Sequence, residues 1–172
     1  SEEDKPNPIN WYARTKYEGE KIVQSSNFNW IIVRIAYPYR SNFKRKDFVR
    51  NLIHFFKNEE LFSMVTDHIM TPTFIDDIAF ALDKLLKNDS KGIFHIVGSS
   101  FVSPYEAAIK IAEVFNFDKT LIKTITRKDF FKYRAPRPFR LAIKNDKIQK
   151  LGIKMKTFEE GLMEIKKQQE NS

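Results

Sequence analysis

Two rhythms of apolar residues alternate along the chain. Stripes at helical spacing appear at Phe48, Leu52, Ile53 and Phe56, at Ile78, Leu82, Leu85 and Leu86, and at Ala107, Ala108, Ile111, Ala112 and Phe115. Between them lie short runs dense in β-branched and aromatic residues, over 30–37, 61–66, 92–98 and 121–126, which read as strands. The run 30–37 has the character of a strand buried on both sides in a parallel sheet, with Pro38 to stop it. Turn chemistry sets the boundaries. Asn10 can cap a helix reaching about Ser25, where Ser25-Ser26-Asn27 breaks it. Ser103-Pro104-Tyr105-Glu106 and Thr157-Phe158-Glu159-Glu160 are capping boxes, the second opening a last helix through Leu162 and Ile165. Asp76 and Asp77 suit the first turn of the helix ahead of Ile78, and residues 127–132 form a short helical candidate. Helix and strand in alternation predict an α/β fold with a parallel sheet. The first helix and its strand make half of a βαβ crossover whose first strand is not in this chain.

Length and composition leave that picture intact. The 172 residues, 42% hydrophobic with 16 Phe, suffice for one domain spanning 1–172. No run approaches the roughly 18 to 20 apolar residues of a membrane span, and the acidic, proline-containing opening does not read as a signal peptide. With no cysteine, disulfides and thiolate metal sites are excluded, and the cytoplasm is the expected location. The net charge of +8 concentrates between Lys119 and Lys156, where many Lys and Arg face only Asp129 and Asp146. Such a bias attracts anions. No nucleic-acid-binding signature accompanies it, so nucleic acid is not expected as a partner.

Candidate chemistry starts at Tyr12 and Lys16, four apart and therefore on one helix face. A phenol with an unperturbed pKa of about 10 is a poor base, but a nearby ammonium favours the phenolate, and the pair can exchange a proton with a carbonyl or alcohol oxygen. The same spacing also occurs on many plain surface helices. After the strand at 30–37, a basic loop carries Arg40, Lys44, Arg45 and Lys46 at the strand's carboxyl end, where open α/β sheets bind ligands. These cations suit a diphosphate or a solvated loop equally well. His68 has no second ligand at metal spacing and reads as a loop residue, so no metal site is expected.

The segment Pro8-Ile9-Asn10-Trp11-Tyr12-Ala13-Arg14-Thr15-Lys16-Tyr17-Glu18-Gly19-Glu20 resembles the catalytic segment of the extended short-chain dehydrogenases, and most of all the dTDP-4-dehydrorhamnose reductases. Two further stretches resemble the same family in order. They are Pro72-Thr73 followed by the acid pair Asp76-Asp77, and an Arg-Pro segment at Arg137-Pro138 before a short helix ending in Leu151-Gly152. The resemblance implies the carboxyl-terminal part of a Rossmann-like parallel sheet plus a small α/β substrate-binding region. The amino-terminal dinucleotide-binding half is expected to lie outside this chain, since its five glycines nowhere cluster as a phosphate-binding turn requires. It implies Tyr12 as proton donor or acceptor, and Lys16 as the group that lowers its pKa and holds the nicotinamide ribose. The substrate side falls to Tyr37, Arg40, Arg137 and Arg140, with the last two also open to plain surface solvation. Tyr37 is nearer the reductase pattern, whereas Arg40 stands where a glycine is usual.

The expected whole is therefore an NAD(P)-dependent reductase of a 4-keto nucleotide-sugar, of which this chain is a carboxyl-terminal piece with negligible dinucleotide affinity alone. A homodimer is a further expectation. The same resemblance admits an NAD-dependent nucleotide-sugar epimerase or dehydratase, and a non-catalytic regulatory subunit such as that of methionine adenosyltransferase.

Overall fold

Alternating helical and extended runs resolve into seven α-helices and six strands in a computed structural model that describes residues 1–42, 44 and 46–171. Their order is α1 (Trp11–Gln24), β1 (Ile31–Arg34), β2 (Pro38–Tyr39), α2 (Phe48–Lys57), β3 (Phe62–Val65), β4 (Thr73–Phe74), α3 (Ile75–Lys87), β5 (Gly92–His95), α4 (Pro104–Phe115), β6 (Ile122–Ile125), α5 (Arg127–Phe130), α6 (Asp146–Gln149) and α7 (Phe158–Glu170). The strands pair as β1 with β5, β2 with β4 and β3 with β6, each in parallel. This is the α/β architecture with parallel pairing that the alternation predicts.

The run 30–37 does not make one strand. β1 ends at Arg34, and Tyr37 takes φ 44°, a left-handed conformation uncommon for a bulky side chain. That bend redirects the chain, so Pro38 opens β2 in a second sheet instead of only ending the first. Tyr39, expected in a polar loop, is 1% exposed. Its ring packs within 5.3–5.9 Å of Phe158, Phe74 and Phe48. The stripe on α3 also differs. Asp77, Ala81 and Leu85 are buried there, while Leu82 and Leu86 are exposed. A carboxylate can lead a buried stripe because Asp77 accepts hydrogen bonds from the Lys156 backbone N at 2.6 Å and its Nζ at 2.7 Å.

Both capping boxes form as expected. Behind that of α4, Ala107, Ala108, Ile111 and Ala112 are buried against α2 and α7 in the larger core, with Phe56, Ile122, Phe158 and Leu162. A second core packs Ala81 and Leu85 with Phe94, Ile148, Ile153 and Met155 over β1 and β5. Thr73 is fully buried at the junction of the strands. Its hydroxyl donates to the Ala36 carbonyl at 2.6 Å and accepts from Gly98 N at 3.2 Å, tying β4 to the chains leaving β1 and β5.

Helix α1 buries no residue. Glu20 holds it to the sheet through Arg34 of β1, in a two-pronged pair with Nε to Oε1 at 2.8 Å and Nη2 to Oε2 at 2.6 Å.

Candidate active site

The Asn10 side chain does two jobs at the start of α1. Its oxygen accepts from Ala13 N at 2.8 Å, which caps the helix, and its nitrogen donates to the Pro136 carbonyl at 2.8 Å. The cap fixes where α1 begins and hence which face carries Tyr12 and Lys16. Lys16 Nζ lies 5.7 Å from the centre of the Tyr12 ring, so the ammonium and the phenol ring are neighbours on one helix face. Both side chains are exposed, Tyr12 at 70%. Pro136 is the neighbour of Arg137, so the second hydrogen bond ties the catalytic candidates' helix to a strap, residues 127–140, that lines one side of a cavity.

That cavity, of about 270 Å³, lies beside the carboxyl end of β3. Its walls are Phe48, Leu52, Met64, Met70, Phe130 and Phe131, with Asn51, Ser63, Tyr37, His68, Arg134 and Arg137 supplying polar groups. An apolar hollow with a few convergent polar heads is the usual form of a small-molecule site. Guanidiniums stack on the strap's aromatic rings. Arg134 lies 4.4 Å above Phe130, Arg137 5.7 Å above Phe131, and Arg127 5.7 Å from Phe131 and 5.8 Å from Phe139. Arg127 also fastens the strap, its guanidinium donating to the Arg137 carbonyl and its backbone N to Asp67 Oδ1 at 2.5 Å.

Tyr37 and His68 meet in the wall of this cavity, the phenol oxygen 3.1 Å from His68 Nε2. Burial pushes the phenol pKa up, and the Arg137 guanidinium beside it partly offsets the rise. His68 is 2% exposed, and burial together with the charges of Arg127 and Arg137 holds its pKa below the ordinary value, against the Phe139 carbonyl and Asp67. At neutral pH the pair is a neutral phenol facing a neutral imidazole.

Among the residues expected to bind substrate, Tyr37 and Arg137 come together here. Arg140 does not join them. It is exposed, lines no part of the cavity, and its backbone pairs with Ile69. Arg40 faces a separate groove with Lys46, Asp47, Arg50 and Ile75, across Tyr37 and Phe48 from the first cavity. The basic loop is not purely cationic, because Asp47 accepts from Arg40 N at 3.2 Å and Arg50 Nε at 2.9 Å. Lys44 is exposed, and Arg45 lies outside the described residues. Tyr12 and Lys16 line neither hollow. His68 is in a loop, as its sequence context suggests, but its contact with Tyr37 was not legible there. The one available signal was its place just past a strand's carboxyl end. Among the described residues no three His, Asp or Glu side chains gather as a metal site, and no helix is long and apolar enough to cross a membrane.

Comparison with known proteins adds a family. The profile described as RmlD substrate binding domain matches residues 1–171. The chain is 33% identical over 167 residues to methionine adenosyltransferase 2 subunit beta of Bos taurus, covering 91% of this chain and 48% of that protein. It is 30% identical over 171 residues to a dTDP-4-dehydrorhamnose reductase of Sinorhizobium fredii, covering 92% and 56%. Among solved structures, a dTDP-4-dehydrorhamnose reductase from Bacillus anthracis in complex with NADP superposes with a TM-score of 0.87 at 28% identity, over 95% of this chain and 57% of that one. The chain thus spans about half the length of the relatives it matches.

Proposed function

Because this chain belongs to the RmlD substrate-binding domain family, we propose that it is the substrate-holding and proton-transferring part of an NAD(P)-dependent reductase acting on a 4-keto nucleotide-sugar. The observation that carries the proposal is the convergence of Tyr12 and Lys16 on one exposed face of α1, whose cap is hydrogen-bonded to the strap bearing Arg137. One phenol O–H and one ammonium with three donors suit a nicotinamide ribose and a carbonyl oxygen presented side by side. Reduced nicotinamide, when bound, supplies the hydride. Tyr12 Oη gives its proton to the substrate oxygen as that oxygen gains charge, and Lys16 keeps positive charge beside the phenol while it does so. Arg137 and Arg134, at the cavity mouth, offer forked donors for the diphosphate, and the aromatic walls offer faces for a flat base.

The test is turnover of dTDP-4-dehydrorhamnose with NADPH by the full-length protein. Tyr12→Phe should lower kcat by about a hundredfold or more, the usual contribution of a positioned general acid. Absence of turnover by the unaltered protein would overturn the reading. A second reading is favoured by the relative of greater identity among those compared, a subunit of methionine adenosyltransferase. There the fold would serve a partner enzyme, and Tyr12→Phe would leave that role unaffected.

A further inference from the structure

The polar end of the cavity is built around a contact that neither the proton-transfer pair nor diphosphate binding requires. Tyr37 adopts a left-handed backbone conformation at φ 44°, which turns its ring into the cavity wall instead of continuing β1. Its hydroxyl meets a histidine that is 2% exposed, at 3.1 Å from Nε2. Phe131 packs against the imidazole edge to face, with ring centres 6.1 Å apart, and Arg137 lies over that same Phe131. Phenol, imidazole and guanidinium therefore line one end of the same cavity, the phenol hydrogen-bonded to the imidazole and the Arg137 charge acting on the phenol.

The neighbours favour one direction for this hydrogen bond. Arg137 can only donate, so the phenol oxygen turns a lone pair toward that charge and has its hydrogen free to give to His68 Nε2, 3.1 Å away. Nε2 is then the bare, accepting nitrogen, and the imidazole hydrogen sits on Nδ1, a buried atom without a hydrogen-bond partner among the described residues. We propose that His68 is a positioning residue for this site: by accepting the Tyr37 hydroxyl hydrogen at Nε2 it fixes the phenol oxygen toward Arg137, and so sets how that guanidinium meets an anionic ligand. The proposal rests on the reading of the cavity as a nucleotide-sugar site. It carries a pH consequence. A protonated imidazole has no acceptor, so Nε2 would donate to the phenol, compete with Arg137 for the same oxygen, and place a third positive charge beside Arg127 and Arg137, with Asp67 opposing them. The site then works in its aligned form only while His68 is neutral.

Two measurements on the full chain decide it. The first needs no ligand: nitrogen-15 chemical shifts of the His68 ring at neutral pH should show Nε2 unprotonated and Nδ1 carrying the hydrogen. The opposite tautomer, or a charged ring, overturns the proposal. The second is affinity for dTDP-glucose, whose diphosphate diester does not titrate near neutrality, across pH 5 to 8. His68→Phe should weaken binding by about tenfold, as expected when a hydrogen bond that aligns a charged donor is lost. His68→Gln, which restores an acceptor at similar reach, should recover most of that and abolish the acid-side decline. Equal affinity in the unaltered protein and His68→Phe overturns the positioning role and leaves the nucleotide-sugar reading intact. If dTDP-glucose fails to bind the unaltered protein while the tautomer is as stated, the nucleotide-sugar reading fails and the alignment of Tyr37 by His68 stands.

Discussion

Gly161 shows how tightly one residue can be bound to another far away in sequence. A methyl group built at its Cα would sit 2.0 Å from the Tyr39 hydroxyl and 2.9 Å from that ring's Cζ. The Tyr39 ring has little room to retreat, because Phe48, Phe74 and Phe158 pack against it and its hydroxyl reaches the Phe158 carbonyl at 3.4 Å. Ordinary helix propensity would favour alanine at this position of α7, by about 1 kcal/mol. Overpacking wins here, since forcing extra volume into a close-packed core costs about 1–3 kcal/mol and displaces an aromatic ring. Gly161→Ala should therefore lower the urea midpoint, and Gly161→Ala combined with Tyr39→Phe should recover part of the loss. An unchanged or raised midpoint for the single variant would show that the helix shifts to make room. Tyr39 also shows what sequence pattern misses. It stands between a proline and an arginine in a polar stretch, and only the bend at Tyr37 sends it into the core.

At the scale of elements, α1 is the exception among the longer helices, because no residue of it is buried. With little apolar burial to hold it, its docking falls to the Glu20–Arg34 pair and the Asn10–Pro136 hydrogen bond. The pair is partly shielded, its side chains 17% and 23% exposed, so it is worth more than an open surface ion pair. Glu20→Ala should leave global stability nearly intact while backbone amides of α1 exchange with solvent about tenfold faster or more, with those of α4 and α7 unchanged. Uniform protection across the molecule would show that α1 is held by other contacts. Elements defined by local chemistry were legible in the sequence: the caps at Asn10, Ser103 and Thr157 all form as their residues predict. Elements defined by tertiary choice were not. The apolar run 30–37 is the same whether it serves one sheet or two, and only the pairing of Pro38 with Thr73 separates them. On α3 the pattern favoured Leu82 and Leu86, because nothing local reveals that Lys156 will neutralise Asp77 and let it lead the buried face. The candidate site divides in the same way. Tyr12 and Lys16 share a face by helical spacing alone, whereas the cavity takes residues from the bend after β1, from α2, β3 and the strap, and no spacing relates those.

For the molecule as a whole, two buried histidines make stability depend on pH in one direction. His68 and His95 are 2% and 5% exposed, and burial, the leading cause in each case, holds both pKa values below the ordinary 6.5. For His95 the positive charge of Arg34 adds to burial, while Glu2, whose carboxylate lies 3.9 Å from Nδ1 and accepts from the His95 backbone N at 2.8 Å, opposes it. In the unfolded chain each imidazole would take up a proton near pH 6.5, and in the folded chain only at lower pH. Between those two values the unfolded state binds more protons, so stability rises with pH, is complete above about 6.5, and falls as acid is added. The slope is at most about 1.4 kcal/mol per pH unit for each histidine. Carboxylates such as Glu160, held below their ordinary pKa by hydrogen bonds from Thr157, lose their contribution only at lower pH, so the histidine step comes first on acidification. Thermal melts from pH 7.5 to 5 should show the midpoint falling, with His68→Gln and His95→Gln each flattening the curve. If His68→Gln flattens it and His95→Gln does not, Glu2 compensates for the burial of His95, and the acid response of the whole molecule belongs to the cavity in which Tyr37 and Arg137 meet. A flat curve for the unaltered protein would mean that water reaches both imidazoles in the folded state.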